Sequence, residues 1–219
     1  MNIVITGANR GIGLAMVKRY RAAGESVYAL CRHTSEELKA TGADVIEGVD
    51  VGNAEHLPSA LAALKKVSID VLINNAGVLA NESLNEWSPS TIEQQFRVNA
   101  LGPLLVTQAL KEQFVKGAKV AMITSRMGSM EDNGSGGYYG YRMSKAALNA
   151  AGVSLARDMA EQGVAVALLH PGYVQTEMVG YGGDIDADTA AERLLARIDA
   201  LTLDNSGSFW HSNGEKLPW

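Results

Sequence analysis

The chain has 219 residues, 47% hydrophobic and 20% charged, with a formal net charge of −5. That size and balance describe one folded domain, 1–219, with a full core, and the acidic balance offers no basic footprint for nucleic acid. No run of about 18 apolar residues is present to cross a membrane. The opening residues lack a signal peptide's layout, and the single Cys31 excludes an internal disulfide. A reducing, cytoplasmic setting is therefore expected.

The first element is MNIVIT (1–6), a short apolar run rich in β-branched residues and hence a buried strand. TGANRGIG follows directly, with glycines at 7, 11 and 13, and then a helical pattern, LAMVKRYRAA, that Gly24 stops. Strand, glycine turn and helix in this order are the setting in which a backbone approaches a pyrophosphate and a helix N-terminus receives its charge. The spacing is G-x-x-x-G-x-G rather than the commoner G-x-G-x-x-G. A glycine turn by itself is more often structural; the strand before it and the helix after it favour a nucleotide.

Further strands are expected at SVYALC (26–31), ADVIEG (43–48), IDVLIN (69–74), AKVAMIT (118–124), VAVALLH (164–170) and, late in the chain, GSFWHS (207–212). Helices are expected after Glu36, after Asn53, from Pro89 to about Val115 with a break near Gly102–Pro103, from Tyr141 to Glu161, and from Ala187 to Leu201. The segments 128–137 and 180–188 are rich in glycine and polar residues and read as loops. Alternation of this kind predicts an α/β fold: a Rossmann-type, doubly wound parallel sheet of about seven strands with helices on both faces. Ligands of such sheets bind at the carboxyl ends of the strands, where Gly7, Arg32, Asp50, Asn74, Ser125 and Pro171 fall.

Tyr141 and Lys145 lie four residues apart in YGYRMSKAALNA, on one face of the predicted helix. A phenol ordinarily titrates near ~10, and a nearby ammonium favours the phenolate, which would bring the phenol into a useful range. The pair can move a proton onto or off an oxygen. Alone it would read as an exposed Tyr beside a solvated Lys. Tyr138 is a decoy, since its partner four residues on is Arg142, which cannot give up a proton. Cys31 and His170 read as packed strand ends, His33 and His56 as surface, and no His/Cys/Asp cluster has metal-ligand spacing.

TGANRGIG, the DV at 50–51, the NNAG at 74–77, Asn99, Ser125, YRMSK (141–145) and PGYVQT (171–176) occur in the order of the short-chain dehydrogenase/reductase family, which the chain resembles over nearly its whole length. The segment ITSRMGSMEDNGSGGYYGYRMSKAALN and the ending GSFWHSNGEKLPW are similar to the small C-factor and sniffer-like carbonyl reductases. The resemblance implies Tyr141 as proton donor and acceptor, Lys145 as the group that lowers its pKa and holds the nicotinamide ribose, Ser125 as the donor to the substrate oxygen, and Asn99 as the holder of a water in a proton relay. The sixteen residues from Ser125 to Tyr141 exceed the family's usual spacing, an excess that the Gly/Ser-rich stretch can absorb as a bulge. Asn99 is otherwise a poor helix former beside Gly102–Pro103, and an ordinary kink is the competing reading.

The same resemblance assigns cofactor contacts to Gly7, Asn9, Arg10, Gly11, Ile12 and Gly13 in the turn, to Asp50 and Val51 at the adenine, and to Asn74, Asn75, Ala76 and Gly77, with Asn74 bracing the turn. Pro171, Gly172, the backbone of Val174, and Thr176 would hold the carboxamide end. A 2′-hydroxyl cofactor wants a carboxylate after the second strand and a 2′-phosphate wants an arginine. VYALCRH has no acid and ends in Arg32, and Arg10 supplies a second cation, so NADP(H) is the expected cofactor, against a reading of two solvated arginines.

The expected function is an NADPH-dependent oxidoreductase interconverting a carbonyl and an alcohol. A 3-oxoacyl-thioester reductase and a nucleotide-binding signalling protein of the C-factor type are the alternatives; a nucleotide-sugar epimerase would need a separate C-terminal substrate domain. Substrate loops are expected at about 126–140 and 173–187. Met127, Met130, Tyr138, Tyr173, Met178 and Tyr181 would line them and favour an apolar or aromatic small molecule, unless these side chains merely pack. Leu104, Leu105, Val106 and Leu110 put apolar residues on more than one helix face, which together with the resemblance favours a homodimer through the helices at 89–115 and 141–161. The terminal Leu-Pro-Trp is a further candidate contact.

Overall fold

Seven apolar runs pair into one sheet in the computed structural model, which describes residues 1–219. The strands are β1 (Asn2–Thr6), β2 (Ser26–Leu30), β3 (Asp44–Ile46), β4 (Ile69–Asn74), β5 (Phe114–Ile123), β6 (Ala165–His170) and β7 (Phe209–His211), in the order β3-β2-β1-β4-β5-β6-β7. Every pairing is parallel. The helices are α1 (Gly11–Ala22), α2 (Glu36–Lys39), α3 (Leu57–Ala60), α4 (Pro89–Phe96), α5 (Gly102–Ala109), α6 (Tyr139–Asp158) and α7 (Ala187–Asp199).

Both faces of the sheet are covered, and strand parity decides which side each residue serves. Ile3 and Ile5 pack with Met16 and Val17 of α1 and Leu194 and Ile198 of α7. Val4, between them in sequence, joins the opposite layer with Leu72, Val120, Val106 of α5 and Leu148 of α6. The strand order reverses between β1 and β4, so the crossovers leave in opposite directions there and open a crevice above the carboxyl ends.

The expected helix from Pro89 to Val115 is in fact three pieces. A π-turn at Arg97–Leu101 joins α4 to α5, and β5 begins at Phe114, four residues before Ala118. Pro103 cannot donate to the preceding turn and its ring crowds it; one extra residue in the turn, with Gly102 N–H bonded to the Arg97 carbonyl, relieves the conflict. The helices expected after Glu36 and Asn53 shrink to single turns.

Candidate active site

The glycine turn is built where β1 and β4 lie side by side. A Cβ at Gly13 would stand 2.2 Å from the Gly7 carbonyl oxygen, and one at Gly7, whose φ is +64°, would stand 2.8 Å from the Ala76 Cα. The turn is thus pressed against the NNAG segment and leaves no room for side chains. Thr6 Oγ1 accepts from the N–H groups of both Asn75 and Ala76 at 3.0 Å, and Asn75 Nδ2 donates to the Thr6 and Gly7 carbonyls at 3.0 and 3.1 Å. The brace is therefore Asn75 and not Asn74. Successive strand residues point to opposite faces, and Asn74 turns into the core, donating to Thr107 Oγ1 at 3.1 Å with its Oδ1 buried and unpartnered.

Around this turn stand the other expected cofactor positions. Ile12 packs on the core beneath the turn, and the Asn9 carbonyl accepts from Ser35 Oγ at 2.8 Å. Gly11 faces Thr176: a Cβ there would lie 3.4 Å from Thr176 Cγ2. Asp50 is exposed and accepts from Gly52 N–H at 2.9 Å, while Val51 is buried against Gly102. Arg32 is exposed just past β2 and enters none of the chain's ion pairs. Arg10 is also exposed, but its guanidinium is paired with Glu177, across from the glycine turn. Beyond β6, Val174 is buried and bridges to Ile185, fixing the segment that begins with Pro171 and Gly172.

Tyr141 and Lys145 share the inner face of α6 and are both buried. Lys145 Nζ donates to the Ile123 carbonyl at 2.9 Å and lies 5.7 Å from the centroid of the Tyr141 ring. It also sits close to Gly77, where a Cβ would be 3.8 Å from it. Ser125 lies just past the end of β5, and its Oγ accepts from Met127 N–H at 3.1 Å. The Ser125 hydroxyl faces the Tyr141 phenol and favours its ionised form, but burial outweighs that and pushes the phenol up to about 12. Burial also pulls Lys145 down to about 8. The expectation that the ammonium would lower the phenol's pKa is therefore not met in this structure. Desolvation dominates both groups, and Tyr141 holds its proton at neutral pH.

Asn99 sits in the π-turn, fully buried, and its side chain is already occupied. Nδ2 donates to the Val78 carbonyl at 2.8 Å and to Ser144 Oγ at 3.0 Å, and Oδ1 accepts from Val78 N–H at 2.8 Å. Neither amide proton is left for a water. The side chain ties the turn after β4 to α6. Ser144 in turn donates to the Tyr141 carbonyl at 2.8 Å, so the tie reaches the backbone of α6 itself.

The profile of the short chain dehydrogenases matches residues 1–184. The chain belongs to the short-chain dehydrogenase/reductase family. It is 38% identical over 223 residues to a 1-hydroxy-2-glutathionyl-2-methyl-3-butene dehydrogenase of Rhodococcus sp. (strain AD45), covering 99% of both chains. It is 44% identical over 154 residues to the C-signal protein of Myxococcus xanthus, covering 69% of this chain and 93% of that one. Among solved structures, the carbonyl reductase Sniffer of D. melanogaster superposes with a TM-score of 0.91 at 27% identity, covering 100% of this chain and 99% of that one. The NADPH-bound carbonyl reductase from chicken fatty liver gives the same score and identity, over 100% and 98%. The enzyme is thus an oxidoreductase of the C-factor and sniffer-like type.

The loops expected to meet substrate in this dehydrogenase/reductase are more open. The long interval between Ser125 and Tyr141 is an excursion that Arg142 staples back, through bonds from Nη2 to Ser135 Oγ at 2.9 Å and from Nη1 to the Met127 carbonyl at 3.5 Å. Met130, Tyr173, Met178 and Tyr181 are exposed, whereas Met127 and Tyr138 are half-buried. His170 is a packed strand end, edge-on to His211 at 4.8 Å, and burial drives its pKa down to about 3. Trp219 stacks on Phe209 at 5.5 Å, and its carbonyl accepts from Glu131 N–H at 3.0 Å, so the terminal Leu-Pro-Trp is tied down within its own chain. Glu82 and Gln95, two buried polar residues beside the start of α6, belong to no local motif, and no signal in the sequence points to them.

Proposed function

We propose that this enzyme reduces a carbonyl to an alcohol with NADPH, using Tyr141 as the proton donor. The observation that carries this reading is the convergence of a buried, protonated Tyr141 on Ser125 at the carboxyl edge of the sheet, beside the glycine crevice. Hydride arriving at a carbonyl carbon leaves negative charge on the oxygen; two hydroxyl donors aimed at one point stabilise it, and the phenol's proton completes the alcohol. A phenol that rests protonated is suited to the reductive direction. Lys145, buried and hydrogen-bonded to a carbonyl, replenishes and orients this site.

The cofactor is NADP(H), which supplies the hydride when bound. The residues present fit it: a glycine turn with no space for a Cβ, and Arg32 and Arg10 as cations near the end of β2 and in the turn. Arg32, free of any ion pair, reads the 2′-phosphate, and Arg10 joins it only by leaving Glu177; Asn75, Gly77, Thr176 and Lys145 flank the remainder. The substrate is a small apolar or aromatic carbonyl compound that meets the exposed Met and Tyr side chains. The Rhodococcus relative's name describes an alcohol bearing a glutathionyl group, and a thioether-bearing substrate is the second reading. The enzyme is cytoplasmic and works as a homodimer through the α4–α6 face, where Phe96, Leu101 and Met143 stand exposed. Light scattering should give about 46 kDa, twice the 23.2 kDa chain.

The deciding experiment is a panel of aldehydes, ketones, 3-oxoacyl thioesters and glutathionyl alcohols, followed by the absorbance of the reduced nicotinamide. Turnover of apolar carbonyls with NADPH, and much less with NADH, is expected. Turnover confined to the thioesters selects the alternative reductase. Tight NADPH binding with no turnover of any compound leaves the nucleotide-binding signalling reading.

A further inference from the structure

We infer that Glu82 is a positioning residue for Tyr141: a buried carboxylate that caps the catalytic helix from a distant loop and fixes where its first turn begins. This rests on the assignment of Tyr141 as proton donor. Helix α6 starts without a cap of its own. Its N-cap residue, Tyr138, is in the left-handed region at φ +51°, and its side chain makes no capping hydrogen bond. The missing acceptors come from a residue far back in the chain: Glu82 Oε2 accepts from Gly140 N–H, 58 residues on, and the Glu82 carbonyl accepts from Tyr138 N–H at 2.7 Å. Tyr141 follows Gly140 directly. The side chain and main chain of one residue therefore grip both residues that define the helix entry.

Glu82 is buried, and no cation of the chain pairs with it. Its charge is held by donors alone. Oε1 accepts from Thr91 Oγ1 and from Gln95 Nε2, each at 3.0 Å, and the positive end of α6 lies at Oε2. Gln95 is itself fixed, with Oε1 accepting from Ala80 N–H at 2.9 Å. The packing admits no side chain between these groups: a Cβ at Gly140 would stand 2.4 Å from Gln95 Nε2 and 3.0 Å from both Glu82 oxygens. The Thr91 hydroxyl shares its one proton between Glu82 Oε1 and the Ser88 carbonyl at 2.9 Å, and Gln95 Nε2 gives its second proton to the Thr91 carbonyl at 3.3 Å, so the Gly140 and Gln95 donors are what hold the carboxylate against the helix start. A slip of the first turn would move the phenol relative to Ser125, and misplacement by about 1 Å can cost on the order of 10²-fold in rate.

Glu82→Gln replaces one acceptor by an NH2 that must face either Gly140 N–H or Gln95 Nε2, donor against donor. The expected result is a kcat reduced at least about ten-fold, with KM and NADPH affinity within about two-fold of wild type. The double variant Glu82→Gln/Gln95→Glu restores complementarity between positions 82 and 95, giving up only the longer 3.3 Å bond from Gln95 Nε2 to the Thr91 carbonyl. The amide oxygen introduced at position 82 can accept from Gly140 N–H, and its NH2 can donate to the carboxylate introduced at position 95. That carboxylate can still accept from Ala80 N–H. The double variant should recover most of the lost kcat. A purely structural role would lower the melting temperature of Glu82→Gln while leaving the kcat of the folded, cofactor-binding protein unchanged. That result overturns the inference, as does a double variant no more active than the single one. Tyr141→Phe run in parallel separates the two levels: if it keeps normal turnover, the proton-donor reading fails independently of Glu82.

Discussion

The crevice between β1 and β4 and the loops beyond β5 and β6 are built on opposite plans. In the crevice, backbone meets backbone: Gly7, Gly13 and Ala76 are in contact, and Thr6 and Asn75 tie the two turns with four hydrogen bonds at 3.0–3.1 Å. In the loops, Met130 is 74% exposed and Tyr181 70%, and Tyr181 sits at φ +62°. A nucleotide is the same ligand for every protein that binds it, so its cradle can be closed and rigid. The loops, the wall that we propose for the substrate, are held by side chains such as Arg142 rather than by the sheet.

The largest test of that contrast is Gly13→Ala. Its methyl would collide with the Gly7 carbonyl and with Asn75 Nδ2, 2.6 Å away, and neither can yield without moving a strand end. A loss above about 4 kcal/mol, or no soluble protein, is expected. Gly134→Ala, in open space, should change stability by less than about 0.5 kcal/mol in the same denaturation experiment. Next is Tyr141→Phe, which keeps the ring and removes the proton: turnover should fall at least about 10²-fold with NADPH binding retained, while Tyr138→Phe stays near wild type. Arg32→Asp comes third. Loss of a charge-assisted phosphate contact is expected to cost about 1.5–3 kcal/mol, so NADPH affinity should fall roughly ten- to a hundred-fold while NADH gains relatively. Titration of both cofactors checks it.

Lys145→Met loses the bond to the Ile123 carbonyl at every pH, but relative to wild type it should gain stability, read as melting temperature, as the pH falls from about 10.5 to about 8. The lysine's pKa falls from 10.5 to about 8 on folding, so the unfolded chain binds more protons between those values and stability rises with pH there. The gain from methionine should thus be full below about pH 8 and vanish by about 10.5. A gain that does not change with pH would refute burial of the charge as its cause. The smallest effect belongs to Tyr181→Gly, which relieves a left-handed backbone and removes an exposed ring. Stability should stay within about 0.5 kcal/mol or improve slightly, and only KM for bulky carbonyls should move.

The elements that sequence reading places well are those with local signals. β1, the glycine turn and α1 follow each other without a gap, and Tyr141 and Lys145 sit one turn apart. The readings that fail depend on chain meeting chain. Asn74 and Asn75 are identical in type, and only the parity of β4 decides which one reaches Thr6. The partners that fix the Asn99 side chain, Val78 and Ser144, lie 21 and 45 residues away. The balance of burial against the ammonium at Tyr141 cannot be read from spacing. Glu82 is invisible in the sequence because its partners, Gln95 and Gly140, lie 13 and 58 residues away, with no periodicity linking them.

The pairing of β1 with β4 also bears on how the molecule assembles in time. Thr6 and Asn75, whose contacts make the crevice, are 69 residues apart, and the strands behind them meet only when Ile3 finds Val71. Parallel strands cannot be joined by a hairpin, and long closures slow folding. During refolding, helical signal from α1 and α6 should return early. The capacity to quench or enhance nicotinamide fluorescence should return only in the later phase in which the β1–β4 register forms. NADPH present from the start would then stabilise the final state by mass action without speeding that phase, because the surface it recognises does not yet exist.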